Sequence, residues 1–269
     1  MKILIIGGGN MGQSFAKSFL HNHIADIANF AVLEKDSSKY DELKKIGIRH
    51  IYNVSDKFIE NFDLVVLAVK PQAFADLSID LKKHISDEQV VLSIMAGISI
   101  ENIQNSLSIS KIIRAMPNIA SQIGEGMTVF TSSENVTRIE LVTVQNLLGS
   151  TGKNLYVSDE KLIDAGTAIS GSGPAYVLYF MQAIMDSAKE LGFSVHQAEM
   201  LTYQTFKGIV EFFQNSKDSC SEMIDKIASK GGTTEAALQM FENQKVNLAI
   251  NKAIKAANQK AIELGKKSF

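Results

Sequence analysis

MKILIIGGGNMG at residues 1–12 places a short apolar strand, Ile3 to Ile6, directly ahead of Gly7, Gly9 and Gly12 in G-x-G-x-x-G spacing. Met11, Phe15 and Phe19, with Ala16 and Leu20, then recur at helical intervals, so the glycines sit at a strand-to-helix junction. That context predicts a dinucleotide site. Gly7 makes the tight turn, Gly9 lets the backbone approach a pyrophosphate, and Gly12 lets helix and strand pack closely, with the helix N-terminus facing the phosphates. A nicotinamide or flavin dinucleotide is the expected ligand.

Outward from that junction the chain keeps a strand–helix rhythm. Phe30 to Leu33 reads as a strand ending at Glu34 and Ser38 to Ile46 as a helix, with further strands at 64–69, 90–95 and 111–115. A strand over 127–131, a helix over 136–148 and a last strand over 154–157 complete a mostly parallel, doubly wound sheet. After Ser158 the alternation stops. From Lys161 onward only helical periodicity remains, interrupted at 171–174, at Gly192, across 215–221 and at 231–232. Ser158 and Thr233 are candidate helix caps, and 235–242 and 245–264 read as amphipathic helices. The expected organisation is an α/β dinucleotide-binding domain at 1–158 followed by an all-α domain at 159–269.

In such a sheet the ligand lies beyond the carboxyl ends of the strands. Glu34 ends the second strand about 20 residues past the glycines, where a carboxylate can accept hydrogen bonds from the adenosine ribose. It leans towards NADH by repelling a 2′-phosphate, although Lys35 and Lys39 stand close enough in sequence to offset its charge. Ala68-Val69-Lys70-Pro71 must stay extended because Pro71 disfavours helix at Lys70, which is either a ribose or phosphate contact or a solvated strand-end lysine. Ile94-Met95-Ala96-Gly97 offers small residues where main chain can lie against a nicotinamide. Asn118, in Arg114-Ala115-Met116-Pro117-Asn118, either orients nicotinamide or substrate or caps a turn. The three prolines, Pro71, Pro117 and Pro174, all fall at such junctions.

With 269 residues, 45% of them hydrophobic, the chain has material for a real core. Its formal net charge of −2 and scattered Lys and Arg offer no basic face, so nucleic acid is not an expected partner. A lone Cys220 gives neither a disulfide nor a metal-ligand pattern. The most apolar helical stretch, 175–185, is too short for the roughly 20 residues of a membrane span. Without a signal-peptide pattern at its start, the chain is expected in the cytoplasm. His21, His23, His50, His84 and His196 stand alone, the first two in the region of the first helix, the next two in sheet connections and the last beside a helix start, where histidines are usually surface or capping residues.

The helical half carries two glycine-rich breaks, SGSGPAY at 170–176 and GGTTE at 231–235, each before a strong helix. The second sets consecutive N–H groups and two hydroxyls at a helix start, suited either to a small carboxylate or to a plain capped entry. Taken in order, GGGNMG, VKPQ, AGIS, RAMPN, ISGSGPAY and GGTTEA resemble the pyrroline-5-carboxylate reductase family, and the similarity runs nearly end to end. The resemblance implies an N-terminal Rossmann-type domain, a C-terminal all-α domain that interlocks with a partner subunit as a homodimer or larger homo-oligomer, and reduction of L-1-pyrroline-5-carboxylate to L-proline by NAD(P)H, with NADPH the family's usual coenzyme.

Carried over by that resemblance, Ile6, Gly7, Gly8, Gly9, Asn10 and Met11 hold the coenzyme phosphates. Ala68, Val69, Lys70 and Pro71 hold a ribose, and Ile94, Met95 and Ala96 face the nicotinamide. Glu34 and Ser55 look towards the adenosine ribose. Gly231, Gly232, Thr233 and Thr234 form the substrate loop, with the Thr234 hydroxyl near the ring nitrogen, and Glu160 is a further substrate-side position. Two departures stand out: Lys230 replaces a proline usual before the loop glycines, and Cys220 replaces another farther upstream. β-Hydroxyacid dehydrogenases of similar layout need a lysine base one turn into the helix after the glycine break, and Pro174-Ala175-Tyr176-Val177-Leu178 has none. A dinucleotide-sensing regulator would keep the first glycines but has no need of GGTT.

Overall fold

The computed structural model describes residues 1–21 and 26–267, so His23 lies outside the described residues. Its strands are β1 (Ile3–Ile6), β2 (Phe30–Leu33), β3 (His50–Tyr52), β4 (Leu64–Leu67), β5 (Val90–Ser93), β6 (Ile112–Met116), β7 (Gly126–Ser132) and β8 (Gly152–Tyr156). Between them run α1 (Asn10–His21), α2 (Tyr40–Ile46), α3 (Phe74–Leu81), α4 (Ile100–Leu107) and α5 (Arg138–Gly149). The strands form one sheet in the order β3-β2-β1-β4-β5-β6-β7-β8, parallel except between β6 and β7. β1, β2, β4 and β5 are buried at every position, and apolar throughout except for Ser93 at the end of β5, because both of their faces are covered. Along β1, Ile3 and Ile5 pack with Phe15 and Phe19 of α1, while Leu4 and Ile6 pack on the other face with Phe74 and Leu77 of α3.

The antiparallel step has a local cause. Only residues 117–125 separate β6 from β7, a short turn of 3₁₀ helix (Ile119–Ile123) among them, which is less chain than a parallel crossover needs. β3 escapes the sequence reading because His-Ile-Tyr has no apolar run, and His50 therefore lies in an edge strand instead of a connection. The residues at 37–39 form a 3₁₀ turn before α2.

The helical half comprises α6 (Lys161–Gly166), α7 (Gly173–Glu190), α8 (Val195–Gln214), α9 (Cys220–Ile227), α10 (Thr233–Asn243) and α11 (Val246–Lys267). No strand occurs after β8 among the described residues. The expected break at 171–174 is a π turn over Thr167–Gly171 leading into α7. Neither Ser158 nor Thr233 is a cap: α6 starts from Glu160 and α10 from Gly232, Thr233 being its first helical residue. No helix among the described residues is long and apolar enough to cross a membrane.

Two compact units emerge: 1–172 together with 256–269, and 173–255. This division differs from 158/159 by the segment around α6 and by the end of α11. In the smaller unit α7 lies on α8, yet α7 has no buried residue, and Leu178, Tyr179 and Phe212 are 64%, 74% and 65% exposed.

Candidate active site

A cleft of about 280 Å³ opens at the carboxyl ends of β1, β2 and β4, lined by Ile6, Gly7 and Gly9 on one side and by Ala68, Val69 and Lys70 on the other. Gly7 has φ +108°, and a Cβ there would stand 2.7 Å from the Ala68 carbonyl oxygen. At Gly12 a Cβ would fall 1.9 Å from the Gly7 oxygen, so only glycine lets α1 start this close to β1. The space beside Gly9 is open to 4 Å. Asn10, Met11 and Gly12 form the first turn of α1, where backbone N–H groups have no intrahelical acceptor. Open space at Gly9 and free amides at the helix start fit the pyrophosphate of a dinucleotide. Pro71 begins the 3₁₀ turn beyond Lys70, and Lys70 is exposed with no ion pair among the described residues.

Glu34 lines the same cleft, is 8% exposed, and both of its oxygens accept hydrogen bonds from the protein. Its carboxylate accepts from the Gly8 N–H at 2.7 Å, the Asp36 N–H at 2.9 Å and Lys39 Nζ at 3.0 Å. Burial by itself would raise its pKa, but together the Asp36 N–H, the Lys39 ammonium and the Gly8 N–H outweigh burial and hold it below the ordinary glutamate value. Glu34 thus braces the Gly8 peptide while lining the cleft at the place its position in sequence suggested. Lys35 also lines the cleft.

The other expected coenzyme positions lie outside this cleft. Ser55 follows β3 and is half-buried. Ile94 and Met95 leave β5 buried, and Gly97 turns with φ +78°. The Asn118 amide is committed: its Nδ2 donates to the Ser170 carbonyl at 3.0 Å, and its Oδ1 accepts from the Ala120 and Met127 N–H groups. It caps the 3₁₀ turn, the second of its two readings.

Glu160 is likewise engaged. Its Oε1 accepts from Arg114 Nη1 at 2.8 Å and from the Ile100 N–H at 2.8 Å, while Arg114 Nη2 donates to Asp164 at 2.6 Å. Arg114 is 3% exposed. An arginine inside the apolar run Ile112-Ile113-Arg114-Ala115-Met116 was the available signal, because a buried cation requires buried acceptors. The partners, half a domain away in sequence, could not be named.

In the smaller unit the 231–234 loop precedes α10. Gly231 has φ +73°, its N–H donates to Glu235 at 2.7 Å, and the Gly232 N–H donates to the Ser229 carbonyl at 2.9 Å. The free donors are therefore shifted by two residues from the glycines themselves. The amides of Thr233, Thr234 and Glu235 open a helix whose Gly232 cap supplies no side chain. By contrast α5, α8 and α9 are closed by the capping boxes of Thr137, Ser194 and Ser219. Thr233 is exposed and Thr234 half-buried. Cys220 is the first residue of α9, a position that suits proline, and the Ser219–Glu222 box holds the helix without it. Lys230 is exposed and unpaired among the described residues.

Among the described residues no histidine lines this cleft: His21 ends α1, His84 Nδ1 stands 3.6 Å from the Glu60 carboxylate, and His196 is exposed on α8. The described residues hold no cluster of three or more metal-ligating side chains.

Residues 160–264 match the family described as pyrroline-5-carboxylate reductase dimerisation, and residues 2–97 match the one described as NADP oxidoreductase, coenzyme F420-dependent. The pyrroline-5-carboxylate reductase of Aquifex aeolicus (strain VF5) is 35% identical over 266 residues, which cover 98% of this chain and 97% of that protein. Among solved structures, a pyrroline-5-carboxylate reductase from Coxiella burnetii superposes with a TM-score of 0.89 at 32% identity. A Plasmodium falciparum pyrroline carboxylate reductase with NADP bound gives 0.88 at 27%. Each comparison covers 98% of both chains.

Proposed function

Because this chain belongs to the pyrroline-5-carboxylate reductase family, we propose that it reduces the C=N bond of L-1-pyrroline-5-carboxylate with NADH or NADPH, giving L-proline and the oxidised coenzyme. Residues 1–158 hold the coenzyme, and residues 159–269 carry the substrate loop and the subunit contact. The carrying observation is a pair of helix starts left open for anions. α1 begins after Gly9 and α10 after Gly232; the α10 start has no side-chain cap, and among the described residues no side chain is seen to accept from the first N–H groups of α1.

A reduced nicotinamide, when bound, would supply two electrons as hydride to the ring carbon; starting from the protonated imine, the neutral amine so formed takes up one further proton to give zwitterionic proline. The chain's own groups bind and orient. The amides of the Gly9–Gly12 turn take the pyrophosphate, Lys70 takes a ribose or phosphate, and the 94–97 turn lies beside the nicotinamide. The Thr233, Thr234 and Glu235 amides grip the substrate carboxylate. The Thr234 hydroxyl hydrogen-bonds at the ring nitrogen and holds the imine in line for transfer. A protonated imine is already electrophilic, so positioning suffices and no strong base is needed. The absence of lysine from the first turn of α7 agrees with this and disfavours a hydroxyacid dehydrogenase. Lys35 and Lys39 beside a Glu34 that is already neutralised support use of both coenzymes.

Two copies join through the helical domain, which would cover the apolar surface of α7. The enzyme works in the cytoplasm, in keeping with its single unpaired Cys220. Initial rates with NADH and NADPH on pyrroline-5-carboxylate test the reading. Thr234→Ala should lower kcat/KM by roughly 10–100-fold, the scale of one oriented hydrogen bond in a transition state. An unchanged rate would remove Thr234 from the chemistry, and coenzyme binding without turnover would favour a sensor.

A further inference from the structure

We propose that Arg114 and Glu160 are positioning residues that fix the 94–97 turn against the coenzyme, an assignment that rests on the reading of that turn as the nicotinamide wall. Arg114 pairs in the sheet with Ser93, the last residue of β5 before the turn. Its guanidinium is buried on the face that also holds Met95, Ile98 and Ile103. There it binds Glu160 and Asp164, and the same Glu160 oxygen accepts the N–H of Ile100, the first residue of α4. One carboxylate oxygen therefore links strand β6 to the start of α4, the helix that follows the turn.

The turn is also held from behind. A Cβ at Gly97 would lie 3.1 Å from the Gly265 nitrogen, and a Cβ at Gly265 would lie 2.6 Å from the Gly97 oxygen, so backbone meets backbone there. With one side backed by α11 and the helix that follows it anchored to Glu160, the turn has little freedom to shift. Placement errors of about 1 Å at a reacting centre can cost on the order of 100-fold in rate. Since the Glu160 oxygen is shared between Arg114 and Ile100, its effect on turnover passes through the turn and not through contact with substrate.

Glu160→Ala is the informative variant, because Arg114 keeps Asp164 as a neutralising partner while the link to Ile100 is lost. The expected result, on the full-length protein, is about tenfold weaker NADH and NADPH binding in direct titrations and about tenfold lower kcat, with KM for pyrroline-5-carboxylate within about twofold. Glu160→Gln keeps an oxygen for the Ile100 N–H and should recover most of the coenzyme affinity. Glu160→Asp keeps the charge but draws the oxygen back by one methylene, and should behave like Ala. This third variant decides the matter if Ala does not fold. A tenfold rise in substrate KM with coenzyme binding unchanged would overturn the proposal, as would a lower melting temperature with normal kinetics. Coenzyme titration needs no turnover, so a wild-type protein inactive on pyrroline-5-carboxylate would overturn the proposed function while leaving the tether tested.

Discussion

Gly12 and Glu34 show opposite relations between a residue's place in sequence and its part in the structure. Gly12 does what its spacing implies, and Gly12→Ala should weaken coenzyme binding at least tenfold, because a methyl 1.9 Å from the Gly7 oxygen forces α1 off β1. The accompanying loss of stability is about 1–3 kcal/mol by the usual scale of overpacking; coenzyme titration and urea denaturation read both effects. Glu34 sits at the ribose position, yet its oxygens serve Gly8, Asp36 and Lys39. Glu34→Ser is therefore expected to weaken NADH and NADPH alike, with their kcat/KM ratio changed less than about threefold; a strong swing to NADPH would show that the charge reads the ribose. Because its folded-state pKa is depressed, the ionised Glu34 stabilises the fold above the ordinary glutamate range, and that stabilisation is lost as pH falls through the lowered value. Glu34→Gln should then cost about 1.5–3 kcal/mol at pH 7, on the scale of charge-assisted buried hydrogen bonds, and progressively less in acid. Denaturation midpoints across pH check the sign.

Elements dominated by apolar residues on both faces were legible at once. β1, β2, β4, β5 and β6 lie close to their expected residues because strands buried on both faces cannot tolerate polar positions without partners. β3 and the direction of β7 were not, since an edge strand needs no apolar run and direction depends on how far the connecting chain can reach. Cap residues also misled: Ser158 and Thr233 have the right chemistry, but the backbone turns into helix at Glu160 and Gly232. The contact between the 94–97 turn and α11 gives a test at this level. Helix propensity alone would make Gly265→Ala stabilising by up to about 1 kcal/mol. The 2.6 Å approach of its Cβ to the Gly97 oxygen predicts a lower Tm instead, with weaker coenzyme binding. Thermal melts and coenzyme titration of the same preparation distinguish the two.

At the level of the whole molecule, the smaller unit leaves many large apolar side chains exposed. An apolar helix of 18 residues with none buried, and Leu178, Tyr179 and Phe212 each more than half exposed, call for a second copy. Phe212→Glu or Leu178→Glu should lower the assembly state by light scattering and make the melting temperature depend more steeply on protein concentration; a variant that stays fully assembled would argue against those residues as interface. The sequence by itself determined the fold class, the glycine-rich strand-to-helix junction and the family, because each is written in local patterns: apolar periodicity, glycines at fixed spacing, hydroxyls beside a helix start. Only the tertiary structure decided that Glu34 braces Gly8, that Asn118 is consumed by Ser170, and that Arg114 and Glu160 are joined to Ile100. Those outcomes depend on which buried donors and acceptors meet across long stretches of chain, and a buried polar group takes whatever partner the packing brings within about 3 Å.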